Sequence, residues 1–212
     1  MQYRFSEDVA RFPSQEFYEG RLRTGTPRDA EIAATLGISS FPWPKEGSNG
    51  RITPVVFVPC TSEEDYGRSS KSNAGQVALV KHIVSLLRRP AEDSEENKTR
   101  LRSASIAVLT PYSRQVQLLK QTIPAAMDVV VSTIDGFQGR EGDIVVFTTV
   151  RCNVEGEIGF VEDERRLNVA WTRPKLGLIV VGDKRTLETK SALWKRALAA
   201  CREVVIAKPE DA

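Results

Sequence analysis

Five short apolar runs, alternating with stretches of helical spacing, constrain this chain more than any other feature of its sequence. The runs are Ile52 to Val58, Ile106 to Leu109, Val129 to Val131, Ile144 to Val150 and Leu178 to Val181. Each is too short for a helix and mostly apolar on both faces, the pattern of strands buried from both sides in a parallel sheet. Between the first two runs, Val77, Val80, Val84 and Leu87 fall at helical spacing. Val116, Leu119 and Ile123 do so after the second, and Trp194, Ala197, Leu198 and Cys201 form a similar stripe near the end. Strand and helix in alternation imply βαβ crossovers, and so a doubly wound, mainly parallel α/β sheet flanked by helices.

With 212 residues, of which 41% are hydrophobic, the chain is long enough for one well-packed core. Residues 1–50 differ in character from 51–212. Pro13, Gly20, Gly25, Pro27, Gly37, Pro42, Pro44, Gly47 and Gly50 interrupt any long periodic run, so this segment reads as an arm leading into the lobe. Its aromatic residues Phe12, Phe17, Tyr18, Phe41 and Trp43 are expected to anchor it by apolar burial. Arg89 to Arg102 is charged, contains Pro90 and reads as an exposed loop.

Charged residues make up 27% of the chain but the formal net charge is only +2, so any contact with nucleic acid must be local. Cys60, Cys152 and Cys201 are far apart and lack CxxC spacing, which disfavours a disulfide framework and a zinc site. No apolar run approaches a membrane span, and the N-terminus lacks a signal-peptide core. A reducing intracellular compartment, cytoplasm or nucleus, is expected. His82 is the only histidine, and no GxSxG occurs, so hydrolase and metalloenzyme readings have little support.

Ligands of open α/β sheets collect beyond the carboxyl ends of the strands, and three of these ends carry polar residues. Thr110, Pro111 and Tyr112 follow one run. Ser132, Thr133, Asp135, Gln138, Gly139, Arg140 and Glu141 follow another, and Arg151 and Asn153 a third. Glycines in GFQGRE permit close backbone approach to a ligand, and the hydroxyls of Ser132 and Thr133 can contact a phosphate backbone without sequence preference. Further on, Arg165, Arg166, Arg173 and Lys175 lie where a helical stretch enters a buried strand. An arginine at such a junction, facing another lobe, can stabilise charge on a transferring γ-phosphoryl group.

Taken in order, TPYSRQ, STIDGFQGRE and RRLNVAWTRPKLGLIVVG resemble the successive signatures of the second RecA-like lobe of superfamily 1 helicases. The resemblance is to the group containing senataxin and the nonsense-mediated-decay helicase. MQYR followed by ARFPSQEFYEGRL is similar to the segment that opens the same lobe, so the likeness runs from Gln2 to about Trp194. It implies a P-loop NTPase fold in which Tyr3 packs beside adenine, Arg4 and Arg173 reach the γ-phosphate, and Glu141 contacts the ribose. Gln138 would lie in the motif linking the nucleotide cleft to the nucleic-acid track. Thr110 and Thr133 would touch the phosphodiester backbone, with Tyr112 and Ser132 beside them at the same strand ends. The implied partners are single-stranded RNA or DNA and an N-terminal RecA-like lobe of the same protein, and the group travels 5′ to 3′.

Departures from the family pattern fall beside the two arginines. Phe5, Ser6 and Glu7 stand where Met-His-Pro is usual, and Trp171 and Pro174 replace a Leu and an Ala around Arg173. No GxxxxGK[ST] phosphate loop occurs in the chain, and the acidic cluster Glu162 to Glu164 precedes a helix rather than following a strand, which excludes it as a magnesium site. ATP with Mg2+ is therefore expected only together with the N-terminal lobe. The alternatives are a catalytically inactive module that binds nucleic acid or protein, and a stand-alone nucleotide-binding protein of the same fold.

Overall fold

Residues 1–65 and 70–207 are described by a computed structural model. Its centre is a sheet of six strands: β3 (Val55–Pro59), β4 (Ile106–Thr110), β5 (Val129–Thr133), β6 (Gly142–Thr148), β7 (Pro174–Gly182) and β8 (Arg202–Glu203). The order is β5-β4-β6-β7-β3-β8, and every neighbouring pair is parallel. A separate antiparallel ribbon joins β1 (Lys45–Glu46) to β2 (Arg51–Ile52).

Alternate side chains along each strand project to opposite faces, and two cores result. One gathers Val55, Phe57, Ala107, Leu109, Val145, Phe147, Leu178 and Val180 beneath α1 (Glu7–Phe17), α6 (Glu164–Trp171), α7 (Lys184–Lys190) and α8 (Ala192–Ala199). The other gathers Val56, Val58, Ile106, Val108, Ile144, Val146, Ile179 and Val181 beneath α2 (Asp29–Thr35), α3 (Ala74–Arg88) and α5 (Ser113–Thr122). This is the doubly wound parallel sheet that the apolar runs predict. Among the described residues no helix is long and apolar enough to cross a membrane.

Several local expectations need correction. The run from Ile52 to Val58 is two strands, because Pro54 has no N–H for a ladder and separates β2 from β3. Val129 to Val131 is not buried on both faces: β5 is the edge strand, and Val130 is 38% exposed. The fourth strand stops at Thr148, before Val150 takes the left-handed φ of +69°. Part of the charged stretch expected to be a loop is α4 (Glu95–Ser103). Ser94 caps it by accepting from the Asn97 N–H at 3.1 Å. Acidic Glu95 and Glu96 sit in its first turn, Arg100 and Arg102 in its last, matching the helix dipole. Its apolar Leu101 is buried.

Residues 1–50 are folded onto the sheet. Ser6 caps α1, which sends Val9, Ala10 and Phe12 into the first core, while Leu36, Phe41 and Trp43 enter the second. Pro13 sits within α1 and hides its period from a reading by breakers. The residues that depart from the family pattern have packing roles here. Phe5 is buried, Ser6 is the cap, and Pro174 begins β7. Trp171, fully enclosed, packs its ring 4.5 Å from that of Phe12, which ties α6 to α1.

Candidate nucleotide and nucleic-acid surfaces

The candidate nucleotide residues meet at the amino ends of β6 and β7, not at carboxyl ends where the general rule for open sheets directs attention. Gly142 and Pro174, the first residues of these strands, are register partners, so Glu141 and Arg173 just before them are brought side by side. The chain reaches this edge by two crossovers. Ile134 and Phe137 pin the first against the core after β5, and α6 forms the second.

At the N-terminus the Gln2 side chain organises the backbone that carries Tyr3 and Arg4. Its Oε1 accepts from the N–H groups of Arg4 (2.8 Å) and Phe5 (3.0 Å), and its Nε2 donates to the Phe5 carbonyl and Thr24 Oγ1, both at 2.7 Å. The Tyr3 ring is 63% exposed and rests over Gly25, where an added Cβ would lie 2.4 Å from Tyr3 Cε1. Only glycine allows that approach.

Arg4 Nε donates to Glu141 Oε2 at 2.9 Å, and Lys175 Nζ lies 2.9 Å from the other oxygen, Oε1. The Lys175 hydrogen bond and the two positive charges hold the Glu141 carboxyl below the usual carboxylate range. Arg173 is half buried, and its guanidinium donates to the carbonyls of Val169 (3.0 Å) and Arg140 (3.2 Å) and to Thr172 Oγ1 (3.2 Å). Burial, and then the nearby charge of Arg4, lower its pKa. Two guanidiniums and an ammonium thus converge around one carboxylate. Positive charge in excess suits a polyphosphate, and a carboxylate acceptor suits a sugar hydroxyl. Gln138 is exposed on the turn between Phe137 and Glu141.

The nucleic-acid candidates divide at the opposite edge. Ser132 and Thr133 are partly exposed at the end of β5. Thr110 and Tyr112 are 0% and 2% exposed, so neither presents a side chain to a strand in this conformation. The reason is position: β4 is an interior strand, and its end is covered by its neighbours, whereas β5 is open on one side.

What covers that end is a network whose keystone the sequence does not announce. Glu64, with only 2% of its side chain exposed, accepts through Oε2 from Arg151 Nε (2.8 Å), the Cys152 N–H (2.9 Å) and Asn153 Nδ2 (3.1 Å). Arg151 also donates to the Tyr112 hydroxyl at 3.4 Å. Beside it, Gln76 Oε1 accepts from Thr148 Oγ1 (2.6 Å) and the Val150 N–H (2.9 Å), and Asn73 Nδ2 donates to the Val150 carbonyl (2.9 Å). These bonds hold the strained Val150 backbone. Glu64 sits in the run Glu63, Glu64, Asp65, which resembles an ordinary solvated charge cluster. No sequence signal distinguishes it.

A mainly parallel six-stranded sheet wound by helices on both faces is a RecA-like fold. Comparison with known proteins agrees. The chain belongs to the AAA domain family, whose model matches residues 1–185, and it is similar over most of its length to the C-terminal RecA-like lobe of superfamily 1 helicases. It is 36% identical over 201 residues to the DNA polymerase alpha-associated DNA helicase A of Saccharomyces cerevisiae, covering 89% of this chain and 28% of that protein. It is 34% identical over 213 residues to the ATP-dependent helicase NAM7 of the same yeast, covering 96% of this chain and 20% of that protein. The chain therefore spans less than a third of the length of these relatives. In fold it is similar to the C-terminal domain of a possible DNA helicase from Lactobacillus plantarum, with TM-score 0.51, 12% identity, and coverage of 96% of this chain and 99% of that one.

Proposed function

We propose that this lobe completes the ATP site of an ATP-dependent helicase acting on single-stranded RNA or DNA. The observation that carries the proposal is the meeting of Arg4, Glu141, Arg173 and Lys175 at one exposed edge. Arg4 and Arg173 would stabilise charge on the γ-phosphoryl group as it transfers, Glu141 would accept from the ribose, and Tyr3 would lie against the adenine. Gln138, which lies between Thr133 and Glu141 along the chain, would couple this edge to the strand-binding residues. ATP binds with Mg2+, and the phosphate loop and magnesium ligands come from the N-terminal RecA-like lobe of the same protein. Ser132 and Thr133 would contact phosphodiester oxygens, which makes binding sensitive to salt and tolerant of sequence.

The test joins this chain to the preceding lobe and measures nucleic-acid-stimulated ATP hydrolysis. Arg173→Ala is expected to lower that rate by roughly a hundredfold or more, since one charge-stabilising donor is worth about that much. An unchanged rate overturns the arginine assignment. One observation favours a second reading, a catalytically inactive module that binds nucleic acid or protein: the Arg173 nitrogens are all engaged by their own lobe. For that reading the joined protein binds a strand but hydrolyses no ATP.

A further inference from the structure

Phe160 is a large apolar side chain left open beside the strand-binding edge, 53% exposed. It lies in a one-turn 3-10 segment, Gly159–Glu162, with anchoring contacts on both sides of Phe160. The next residue, Val161, is buried in the core, and its carbonyl accepts from Trp194 Nε1 at 2.8 Å. Before it, Gly159 has φ +54° and presses flat against Arg151 and Tyr112. A Cβ there would lie 2.4 Å from Arg151 Nη1 and 3.1 Å from the Tyr112 hydroxyl. The turn thus rests on the guanidinium that the buried Glu64 holds in place.

The ring itself has two partners. Tyr112 packs against it at a centroid distance of 5.7 Å and 57°, and the Arg166 guanidinium lies over it at 5.5 Å. Arg166 also pairs with Asp135 at 3.1 Å, two residues beyond Thr133. Phe160 is therefore joined through one side chain to the turn that follows the strand-contact hydroxyls.

We infer that Phe160 is a stacking platform for one nucleobase of the bound single strand. The inference rests on the proposed strand-binding role of this edge and adds a base contact to its backbone contacts. Three properties favour a base over other occupants. A base needs only one open π-face: Arg166 lies over one face of the ring and Tyr112 meets it at a tilt, yet Phe160 is still 53% exposed. A protein partner would need a contiguous apolar patch of several hundred Å², but the exposed neighbours Glu162 and Asp163 and the partly buried Arg166 are charged. The carboxylates of Glu162 and Asp163 would repel phosphates, so the neutral part of the nucleotide suits this corner best.

The test uses this chain, a fluorescein-labelled oligouridine and an abasic strand of equal length, with binding followed by anisotropy at low salt. Phe160→Ala is expected to weaken oligouridine binding roughly five- to hundredfold, the range for loss of one base–aromatic stack. Binding of the abasic strand should not change, and Phe160→Trp should restore the affinity for oligouridine. Equal losses on both strands, or no loss on either, overturn the platform while leaving the backbone contacts of Ser132 and Thr133 standing. If the unaltered chain binds neither strand, the strand-binding role fails and the platform with it.

Discussion

Glu64 offers the sharpest test of what holds together the edge proposed to bind the strand. Glu64→Ala removes the acceptor of three hydrogen bonds, from Arg151, Cys152 and Asn153, at a site where the carboxylate is 2% exposed and the Arg151 side chain 11%. The main cost comes from what remains: a buried guanidinium without its counter-charge, two orphaned donors and a cavity. Breaking a buried ion pair in this way costs about 3–5 kcal/mol. In a domain of this size each kcal/mol lowers Tm by roughly 2–4 °C, so a fall of about 6–20 °C is expected. Thermal unfolding followed by circular dichroism measures that fall, and in urea the midpoint should drop with no change in slope. The paired change Glu64→Leu with Arg151→Met is expected to cost less than Glu64→Ala alone, because an apolar pair leaves no charge stranded. A loss below about 1 kcal/mol for Glu64→Ala would show that water replaces the carboxylate readily, and would refute the view that this network is a dry support.

Two further outcomes follow from the packing. Trp171→Leu, which installs the usual family residue, should destabilise the lobe by roughly 1–3 kcal/mol, because Phe12 loses its ring contact and a cavity opens between α1 and α6; the midpoint of chemical denaturation reads this directly. Burial pushes the Cys152 thiol up to about 11 from an ordinary value of 9.0. Only about a thousandth of it is thiolate at pH 8, so iodoacetamide should alkylate Cys152 slowly in the folded chain and readily in urea, with the folded-state rate rising as pH approaches 11. Peptide mass spectrometry distinguishes the sites. Rapid folded-state labelling of Cys152 at pH 8 would refute its burial.

The sequence alone determined the architecture, because burial on both faces leaves a mark on every residue of an interior strand. Ile52 to Val58, Ile144 to Val150 and Leu178 to Val181 read as strands for that reason, and β3, β6 and β7, which overlap these runs, lie at or beside the centre. The edge strand β5 was legible as a strand but not as an edge, since Val129 to Val131 are as apolar as their interior counterparts. The ordered motifs also brought Arg4, Glu141 and Arg173 into view, and the structure gathers them at one edge.

Tertiary structure decided what depends on residues distant in the chain. That Thr110 and Tyr112 are covered follows from the position of β4 between β5 and β6, which no local pattern encodes. Lys175 joins the basic cluster because Pro174 and Gly142 are in register, setting its ammonium against Glu141. Glu64 is a keystone because its partners lie 87 to 89 residues away along the chain. A carboxylate in water and one holding a buried guanidinium are spelled alike. Only the desolvation imposed by the surrounding fold distinguishes them.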